Sequence, residues 1–376
     1  MSRLYPQIST ENYGGPRDTT KDEVEAAFAA AQSNFSNLFS VYGPDPDTLP
    51  TDKSAKRQRA ASKGAVVSKG ANVMPDEVPY VPRPPPVTLN ETILLLGGYE
   101  NGRETSKIHV LIKETNVWKT LSVVMPYVSA YHAALIVKGE LYVFGGASTY
   151  LHKLHKKKKW KKLAAMHMKR SGITNSSVEL NDCIWVMGGT VDRPTNSVES
   201  YDPERNEWNL MPSMIESRAA AAANVINGKI FCCGGWNGER SLDSVEWYDP
   251  HSGFWNLLSA TLPYPSFGLS AVCDGSYLVV LGIGSGNGQK GAYRLDPEAP
   301  KPIFQNMSSF SDSRHYFSGV QYGEEILAVG GKNSTGAVLT VEVFDGIQWK
   351  DGPPLPKGFY GHSCLALTQE LVYPIS

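Results

Sequence analysis

Short apolar runs, each closed by glycine, recur along the chain from about residue 90 onwards. They are four to six residues long and end in "ILLLGG", "LYVFGG", "IWVMGG", "IFCCGG", "LVVLGIG" and "ILAVGG". Apolar runs of this length bounded by glycine predict buried β-strands. Their first glycines follow one another at intervals of 48, 43, 46, 48 and 48 residues. The pattern therefore predicts six copies of one structural unit.

A second signal follows most of these runs, as in "SVESYDPERNEW", "SVEWYDPHSGFW" and "TVEVFDGIQW". The alternation of polar and apolar residues in "SVESY" predicts a half-buried strand. Tyr-Asp-Pro predicts a turn into another strand, which carries the tryptophan. The double glycine permits a positive φ or a close backbone approach. The residues that define the repeat are Gly97, Gly98, Gly145, Gly146, Gly188, Gly189, Gly234, Gly235, Gly282, Gly330, Gly331, Trp118, Trp160, Trp208, Trp255 and Trp349.

Each unit is thus a small antiparallel sheet that buries both faces only when units stack radially. The glycine pair, the Tyr/Phe-Asp signal and the tryptophan resemble kelch repeats over residues 90–376. This resemblance implies an all-β fold, a six-bladed kelch β-propeller closed by a C-terminal strand. "YGHSCLAL" is similar to the segments before the other glycine runs, so we expect it to complete the first blade. The fifth repeat has Ile283 in place of the second glycine and lacks a tryptophan, so we expect an irregular blade.

Residues 1–89 differ in composition, and we expect a mostly extended N-terminal extension. "TTKDEVEAAFAAAQSNFSNLF" has Thr20 and Glu23 in capping-box spacing and an apolar stripe, which predicts a short amphipathic helix over about residues 20–39. The helix would pack back on the propeller, or dock into a partner or a second copy.

A basic linker at 51–70 and a proline-rich spacer at 79–86 follow the predicted helix. "RQRAAS" makes Ser62 a candidate phosphorylation site, and "KRQR" is a candidate nuclear import patch. At the other end of the chain, "TQELVYPIS" resembles the start of another glycine-pair strand. It leaves open whether the chain is the first half of a longer, tandem-propeller protein.

Composition narrows the possible functions. The 376 residues, 41% of them hydrophobic, contain neither an apolar signal core nor a run near the roughly 18 residues of a membrane span. We therefore expect a cytoplasmic protein without a membrane partner. Five cysteines without CxxC spacing favour free thiols over disulfides or metal. The repeat positions of His132, His315 and His362 favour a structural role over a metal site. No nucleophile elbow, phosphate loop or zinc spacing is present, so no catalysis, cofactor or metal is predicted.

Charge is concentrated in one segment, "HKLHKKKKWKKL". The formal net charge is −1, and without the seven lysines of this segment 29 basic residues would face 37 acidic ones, a net charge of −8. The second repeat is short, with 15 residues from Gly145 to Trp160 against 19 to 21 elsewhere. In register with the other repeats, residues 156–159 fall at the hairpin turn between the third and outermost strands of blade two. The predicted partner-binding residues are His152, Lys153, His155, Lys156, Lys157, Lys158, Lys159, Lys161 and Lys162.

Edge lysines also protect strands against sheet-to-sheet pairing, and this is the alternative to a contact surface. Seven lysines favour contact with an acidic protein surface. Nucleic acid is not the expected partner, because only Trp160 interrupts the lysines and stacking platforms require several free aromatic residues.

Three functions are compatible with a kelch propeller. A propeller behind an extension that is not a BTB domain, with a lysine-rich edge, is most similar to the actin-bundling kelch proteins of scruin type. This resemblance implies a non-enzymatic scaffold of the cytoskeleton that binds filamentous actin and cross-links it through self-association or a second propeller. The alternative is a substrate-recognition adaptor of ubiquitin-ligase type that binds an acidic protein partner. A propeller enzyme would require convergent polar or metal-binding groups, which the differences between repeats do not show.

Overall fold

A computed structural model describes residues 92–112, 115–155, 159–190, 192–284 and 288–367 of the chain. These residues form β-strands, turns and loops without an α-helix. The described part of the chain consequently has no helix long and apolar enough to cross a membrane. The all-β class predicted for the repeats is confirmed.

Within the described residues, six antiparallel sheets have four strands each. Sheet 1 contains, in spatial order, β29 (Ser363–Leu367), β1 (Thr92–Leu96), β4 (Lys107–Ile112) and β5 (Val117–Val124). Sheet 2 contains β6 (His132–Val137), β7 (Glu140–Gly145), β8 (Ser148–His155) and β9 (Lys159–Ala165). Sheet 3 contains β10 (Ser177–Leu180), β11 (Cys183–Met187), β12 (Val198–Asp202) and β13 (Glu207–Met211).

The remaining sheets follow the same order. Sheet 4 contains β14 (Ala222–Ile226), β15 (Lys229–Cys233), β16 (Val245–Asp249) and β17 (Phe254–Leu257). Sheet 5 contains β18 (Ser270–Asp274), β19 (Tyr277–Ile283), β20 (Gly291–Leu295) and β21 (Gln305–Asn306). Sheet 6 contains β22 (Ser318–Tyr322), β23 (Glu325–Val329), β26 (Val341–Phe344) and β27 (Trp349–Asp351). Two small sheets consist of β28 (Phe359–Tyr360), β2 (Tyr99–Glu100) and β3 (Arg103–Glu104), and of β24 (Lys332–Asn333) and β25 (Gly336–Ala337).

The hydrophobic core lies between neighbouring sheets, and the second strand of sheet 2 shows why its sequence is a continuous apolar run. Leu141 and Val143 of β7 face a cluster shared with sheet 1. Tyr142 and Phe144 face the opposite cluster, shared with sheet 3. Side chains alternate along a strand, so a strand covered on both faces has no polar position. Burial of each such side chain stabilises the fold by roughly 1.5–3 kcal/mol.

The two ends of the repeat region meet in sheet 1. β29 pairs with β1 antiparallel from Thr92↔Leu367 to Leu96↔Ser363. "YGHSCLAL" therefore occupies the place that its likeness to the other inner strands predicts.

A cycle of six backbone hydrogen bonds links the loops that precede the inner strands β6, β10, β14, β18, β22 and β29. One residue of each loop has a positive φ, between 49° and 68°, and donates its N–H to the carbonyl of the equivalent residue one sheet away, at 2.7–3.1 Å. These ring residues are Tyr131, Gly172, Ala220, Gly268, Tyr316 and Gly361. Left-handed backbone costs a non-glycine residue roughly 1–2 kcal/mol, and the bonds of the cycle offset that cost.

In every repeat except the fifth, which lacks a tryptophan, the tryptophan also joins two sheets. In every case the indole Nε1 donates to a backbone carbonyl in or just after the outer strand of the preceding sheet. The bonds are Trp160 to Val124 (2.7 Å), Trp208 to Ala164 (3.1 Å), Trp255 to Pro212 (2.9 Å), Trp349 to Ser308 (3.2 Å) and Trp118 to Pro353 (2.9 Å). The last bond connects sheet 1 to the segment that follows sheet 6.

Sheet 5 is irregular, as its deviating sequence predicts. Its ladder between β19 and β20 shifts register at Leu281/Ile283, and its outer strand has only two residues. The predicted helix at 20–39, linker at 51–70, spacer at 79–86 and Ser62 lie outside the described residues and stay predictions.

Sheets 3, 4 and 6 each contain a buried ion pair that the sequence analysis missed. The arginine lies two residues before the ring residue, and the glutamate follows it by 28 or 29 residues, on the third strand. The pairs are Arg170–Glu199 (2.9 Å), Arg218–Glu246 (2.9 Å) and Arg314–Glu342 (2.5 Å). Each guanidinium also donates to the carbonyl of the first glycine of its repeat, at 2.7–3.1 Å. The pair thus connects the loop before the inner strand to the glycine pair.

Candidate binding surface on the hairpin of β8 and β9

The predicted lysine site lies on the outer hairpin of sheet 2. Lys153 belongs to β8, while Lys161 and Lys162 belong to β9, in line with the prediction that they flank a turn. Lys159 is the first residue of β9 and pairs with His155, so its placement in the turn was wrong. Residues 156–158 lie outside the described residues.

One face of the hairpin holds it on the core. Leu154 is opposite Trp160 across the hairpin, and both side chains pack into the apolar cluster between sheets 1 and 2. Because neighbouring side chains point to opposite faces of a strand, Lys159 and Lys161, on either side of Trp160, point outward and are exposed. Anchoring by Trp160 therefore determines which lysines face solvent.

Two of the described lysines have partners within the molecule. Lys153 is only 23% exposed and donates to Glu140 at 2.5 Å. The Lys162 ammonium lies 3.2 Å above the centre of the Tyr150 ring, within the range of a cation–π contact. By contrast, Lys159 and Lys161 form no ion pair with any described residue. The available positive charge of the described hairpin is therefore centred on Lys159 and Lys161, which form its basic face.

The two histidines of the predicted site differ. His155 is exposed opposite Lys159 and extends the basic face. His152 is half-buried, and its ring packs on Tyr127 with 5.3 Å between the ring centres. Burial lowers the pKa of His152 below its ordinary value of 6.5. His152 is consequently neutral at pH 7 and belongs to the packed side of the hairpin.

Acidic residues lie on the neighbouring sheet. Lys138, in the turn between β6 and β7, bridges Glu204 at 2.8 Å and Asp182 at 3.3 Å on sheet 3. Glu204 and Asp182 are engaged by this lysine and not by the hairpin. These two carboxylates therefore form ion pairs with Lys138 and not with the described lysines of the hairpin.

The described residues contain a cavity but not a cluster of metal-binding side chains. No group of three or more His, Cys, Asp or Glu side chains among them could hold a metal ion. A cavity of about 430 Å³ opens along the inner strands, and its lining has two titratable side chains, Glu179 and Cys364. Asn175, one of the lining residues, donates to the carbonyls of Leu269 (2.7 Å) and Phe317 (2.9 Å).

Comparison with solved structures agrees with the class of fold, an all-β protein of repeated four-stranded sheets. The chain is similar to the protein in "Structure of YjhT" with a TM-score of 0.56 and 18% identity, over 62% of this chain and 87% of that one. The family described as "Kelch motif" matches residues 175–215 and 217–260, which contain sheets 3 and 4. Sheets 3 and 4 therefore each correspond to a kelch motif, and the relatives of the chain include scruins.

Curated relatives come from several kinds of kelch protein. Spermatocyte protein spe-26 of Caenorhabditis elegans is 31% identical over 51% of this chain and 36% of that protein. Alpha-scruin of Limulus polyphemus is 33% identical over 30% of this chain and 14% of that protein. Kelch-like protein 25 of Rattus norvegicus is 32% identical over 50% of this chain and 33% of that protein. The matches thus span little more than a third, or less, of each relative.

Proposed function

We propose that this chain is a non-enzymatic scaffold that binds actin filaments through the basic face of the β8–β9 hairpin. The observation that carries the proposal is the exposure of Lys159 and Lys161 without a described ion-pair partner, on a hairpin held to the core by Trp160. Similarity to the scruins, and the resemblance to actin-bundling kelch proteins, supports an acidic filament as the partner.

The scaffold in this proposal is a six-bladed propeller with sheets 1 to 6 as its blades. Two observations support it. The six ring residues form a closed cycle of hydrogen bonds, and Trp118 extends the sheet-to-sheet tryptophan bonds from sheet 6 back to sheet 1. Pairing of β29 with β1 then closes the propeller.

The proposed binding is electrostatic and acts through several charges together. One exposed ion pair contributes only about 0–1 kcal/mol, so the hairpin binds through its lysines as a group. Exposed charges are screened within about 8 Å at physiological ionic strength, so binding weakens as salt rises. The cluster mainly accelerates association, and neighbouring loops supply specificity.

Co-sedimentation with filamentous actin tests the proposal. The variant Lys159→Glu/Lys161→Glu should pellet much less than the parent protein, because both changes reverse available charges. Lys290→Glu/Lys301→Glu is a matched control that makes the same change in net charge at two exposed positions around sheet 5. The control should pellet like the parent at each salt concentration.

Equal losses in both variants would mean that net charge and not the hairpin determines binding. If the parent protein does not pellet, the actin proposal fails. If the parent protein does pellet with actin, low-speed sedimentation of the filaments would test whether it also cross-links them.

A kelch adaptor that binds an acidic protein partner is the second candidate function. The similarity to Kelch-like protein 25 over half of the chain supports it as directly as the scruins support a filament partner. If the chain is an adaptor, the parent protein should not pellet with actin. It should instead capture a protein partner that the variant Lys159→Glu/Lys161→Glu no longer binds.

A further inference from the structure

Buried histidines flank sheet 1, where the two ends of the repeat region meet. The residue after each ring residue is apolar in four repeats and histidine in two. The six residues are His132, Ile173, Ala221, Leu269, Phe317 and His362. His132 begins β6 of sheet 2, and His362 directly precedes β29 of sheet 1. Both side chains are completely buried.

A third histidine stands inside sheet 1, at the position where sheets 3, 4 and 6 have their buried glutamate. His109 pairs with Leu95 of the second strand, as Glu246 pairs with Cys232 in sheet 4. Phe359, two residues before the ring residue Gly361, takes the place of the arginine. The two rings contact edge to face, with 5.0 Å between their centres. Sheet 1 thus has an uncharged pair where its counterparts have an ion pair.

The surroundings of these histidines do not favour a positive charge. His109 Nδ1 lies 3.0 Å from the hydroxyl of Thr120, and the charged groups near it are Glu100, Lys107 and Lys357. Both lysines bind Glu100, at 2.8 and 3.0 Å, so this carboxylate is already paired.

His132 and His362 are enclosed more tightly. A methyl group on Gly97 would be 2.8 Å from His132 Cε1, and one on Gly330 would be 3.0 Å from His362 Cε1. Backbone of Ser129 faces His132, and the titratable groups near His362 are His132 and His109. None of the charged groups that act on these two rings among the described residues is a carboxylate.

Burial consequently lowers the pKa of His132 to about 4 and that of His362 to about 3. In an unfolded chain a histidine has a pKa near 6.5. A proton therefore binds the opened state more tightly than the closed one. The stability of sheet 1 is consequently greatest above pH 6.5, and it falls as the pH decreases towards the pKa values that the two histidines have in the folded protein.

We propose that sheet 1 is an acid-sensitive junction, in which protonation of His132 and His362 below about pH 6 releases β29 from β1 while the other sheets remain paired. This inference goes beyond the proposed binding function and does not depend on a partner. His132 and His362 place two fully buried histidines beside the junction between the two ends of the repeat region, whereas the described strands of sheet 4 contain no buried histidine.

Hydrogen exchange with mass spectrometry tests the junction, with exchange times scaled for the intrinsic effect of pH on amide exchange. Between pH 7.5 and about pH 5.5, protection of β1 and β29 should fall roughly 100-fold, because linkage gives about tenfold for each histidine released. Protection of β15 in sheet 4 should not change.

The repeats themselves supply the control substitutions. His132→Ile and His362→Phe introduce the residues that stand at the equivalent positions in sheets 3 and 6. The double variant should keep its protection at the lower pH, and each single variant should show about a tenfold fall. If the double variant does not fold, the single variants still provide the test. Equal loss in β1 and β15, or an unchanged loss in the histidine variants, would overturn the proposal.

Discussion

Replacement of Glu246 by alanine should destabilise the protein strongly, although the residue is far from the lysine hairpin. Its carboxylate accepts hydrogen bonds from Nε and Nη2 of Arg218, at 3.1 and 2.9 Å, and from the backbone N–H groups of Ile215 (2.6 Å) and Glu216 (3.0 Å). Both Arg218 and Glu246 are fully buried. The variant therefore leaves two amides without an acceptor and a buried guanidinium with one carboxylate partner in place of two, the partly exposed Glu216 at 3.2 Å.

The expected loss follows from the loss of the fully buried partner of Arg218. Removing one partner of a buried ion pair typically costs about 3–5 kcal/mol, because the other charge remains in a poorly solvated site. Replacing both partners by uncharged residues costs much less. Sheet 1 suggests which uncharged residues to use, because it has Phe359 and His109 at the positions of the ion pair. The double variant Arg218→Phe/Glu246→His would place the same two residue types in sheet 4.

Urea unfolding at pH 7.5 followed by tryptophan fluorescence measures these free energies of unfolding. We expect Glu246→Ala to lose about 3–5 kcal/mol and the double variant to lose clearly less. A loss below about 1 kcal/mol for Glu246→Ala would refute the assignment of a stabilising buried pair, since that is the range of exposed pairs. A double variant as unstable as the single one would show that packing, and not the loss of the buried ion pair, causes the loss of stability.

Two further predictions use the same unfolding measurement. Gly188→Ala should lower the free energy of unfolding more than Gly228→Ala does. Both glycines have a positive φ, 62° and 75°, but a Cβ at Gly188 would clash with the backbone oxygen of Arg218, whereas a Cβ at Gly228 would have no atom within 4 Å. Similar losses of stability in the two variants would contradict the close approach at Gly188. Trp255→Phe should lower the free energy of unfolding by about 0.5–1.5 kcal/mol, because it removes the partly buried hydrogen bond from Nε1 to the carbonyl of Pro212, just after the outer strand of the preceding sheet. Trp247→Phe, at a partly buried tryptophan outside the repeat pattern, is the matched control, and an equal loss there would argue against the hydrogen bond.

The repeat signal was sufficient to predict the all-β class and the kelch family. Each apolar run is short and ambiguous alone, but six copies at a nearly constant interval restrict the fold. The irregular sheet 5 was also predictable, because its repeat lacks the tryptophan of the outer strand, and that strand has only two residues.

The buried ion pairs were not predicted, because no local periodicity connects residues 28 or 29 positions apart. Aligning the repeats on the loop before each inner strand would have shown an arginine recurring with a later glutamate. Burial of these charges still depends on the packing of two sheets, which sequence does not show.

Within the lysine site, sequence identified the segment but not which lysines are available. Lys153 is paired because Glu140 lies on the adjacent strand β7, and Lys162 is held by Tyr150 on the same hairpin. Both contacts depend on strand register, so composition alone made all seven lysines look equivalent. The short connection of this repeat also brought Lys159 into β9.

The position of β1 has a mechanical consequence. The chain enters the first sheet at Thr92, and β1 is hydrogen-bonded along both edges, to β29 and to β4. Tension transmitted by the preceding residues would act along the strand and load both ladders in shear, so that many hydrogen bonds must break together. A strand at the edge of a sheet would instead have one ladder to resist the load. A pulling force applied through Thr92 would thus meet more resistance in the first sheet than in a sheet that the chain enters at an edge strand.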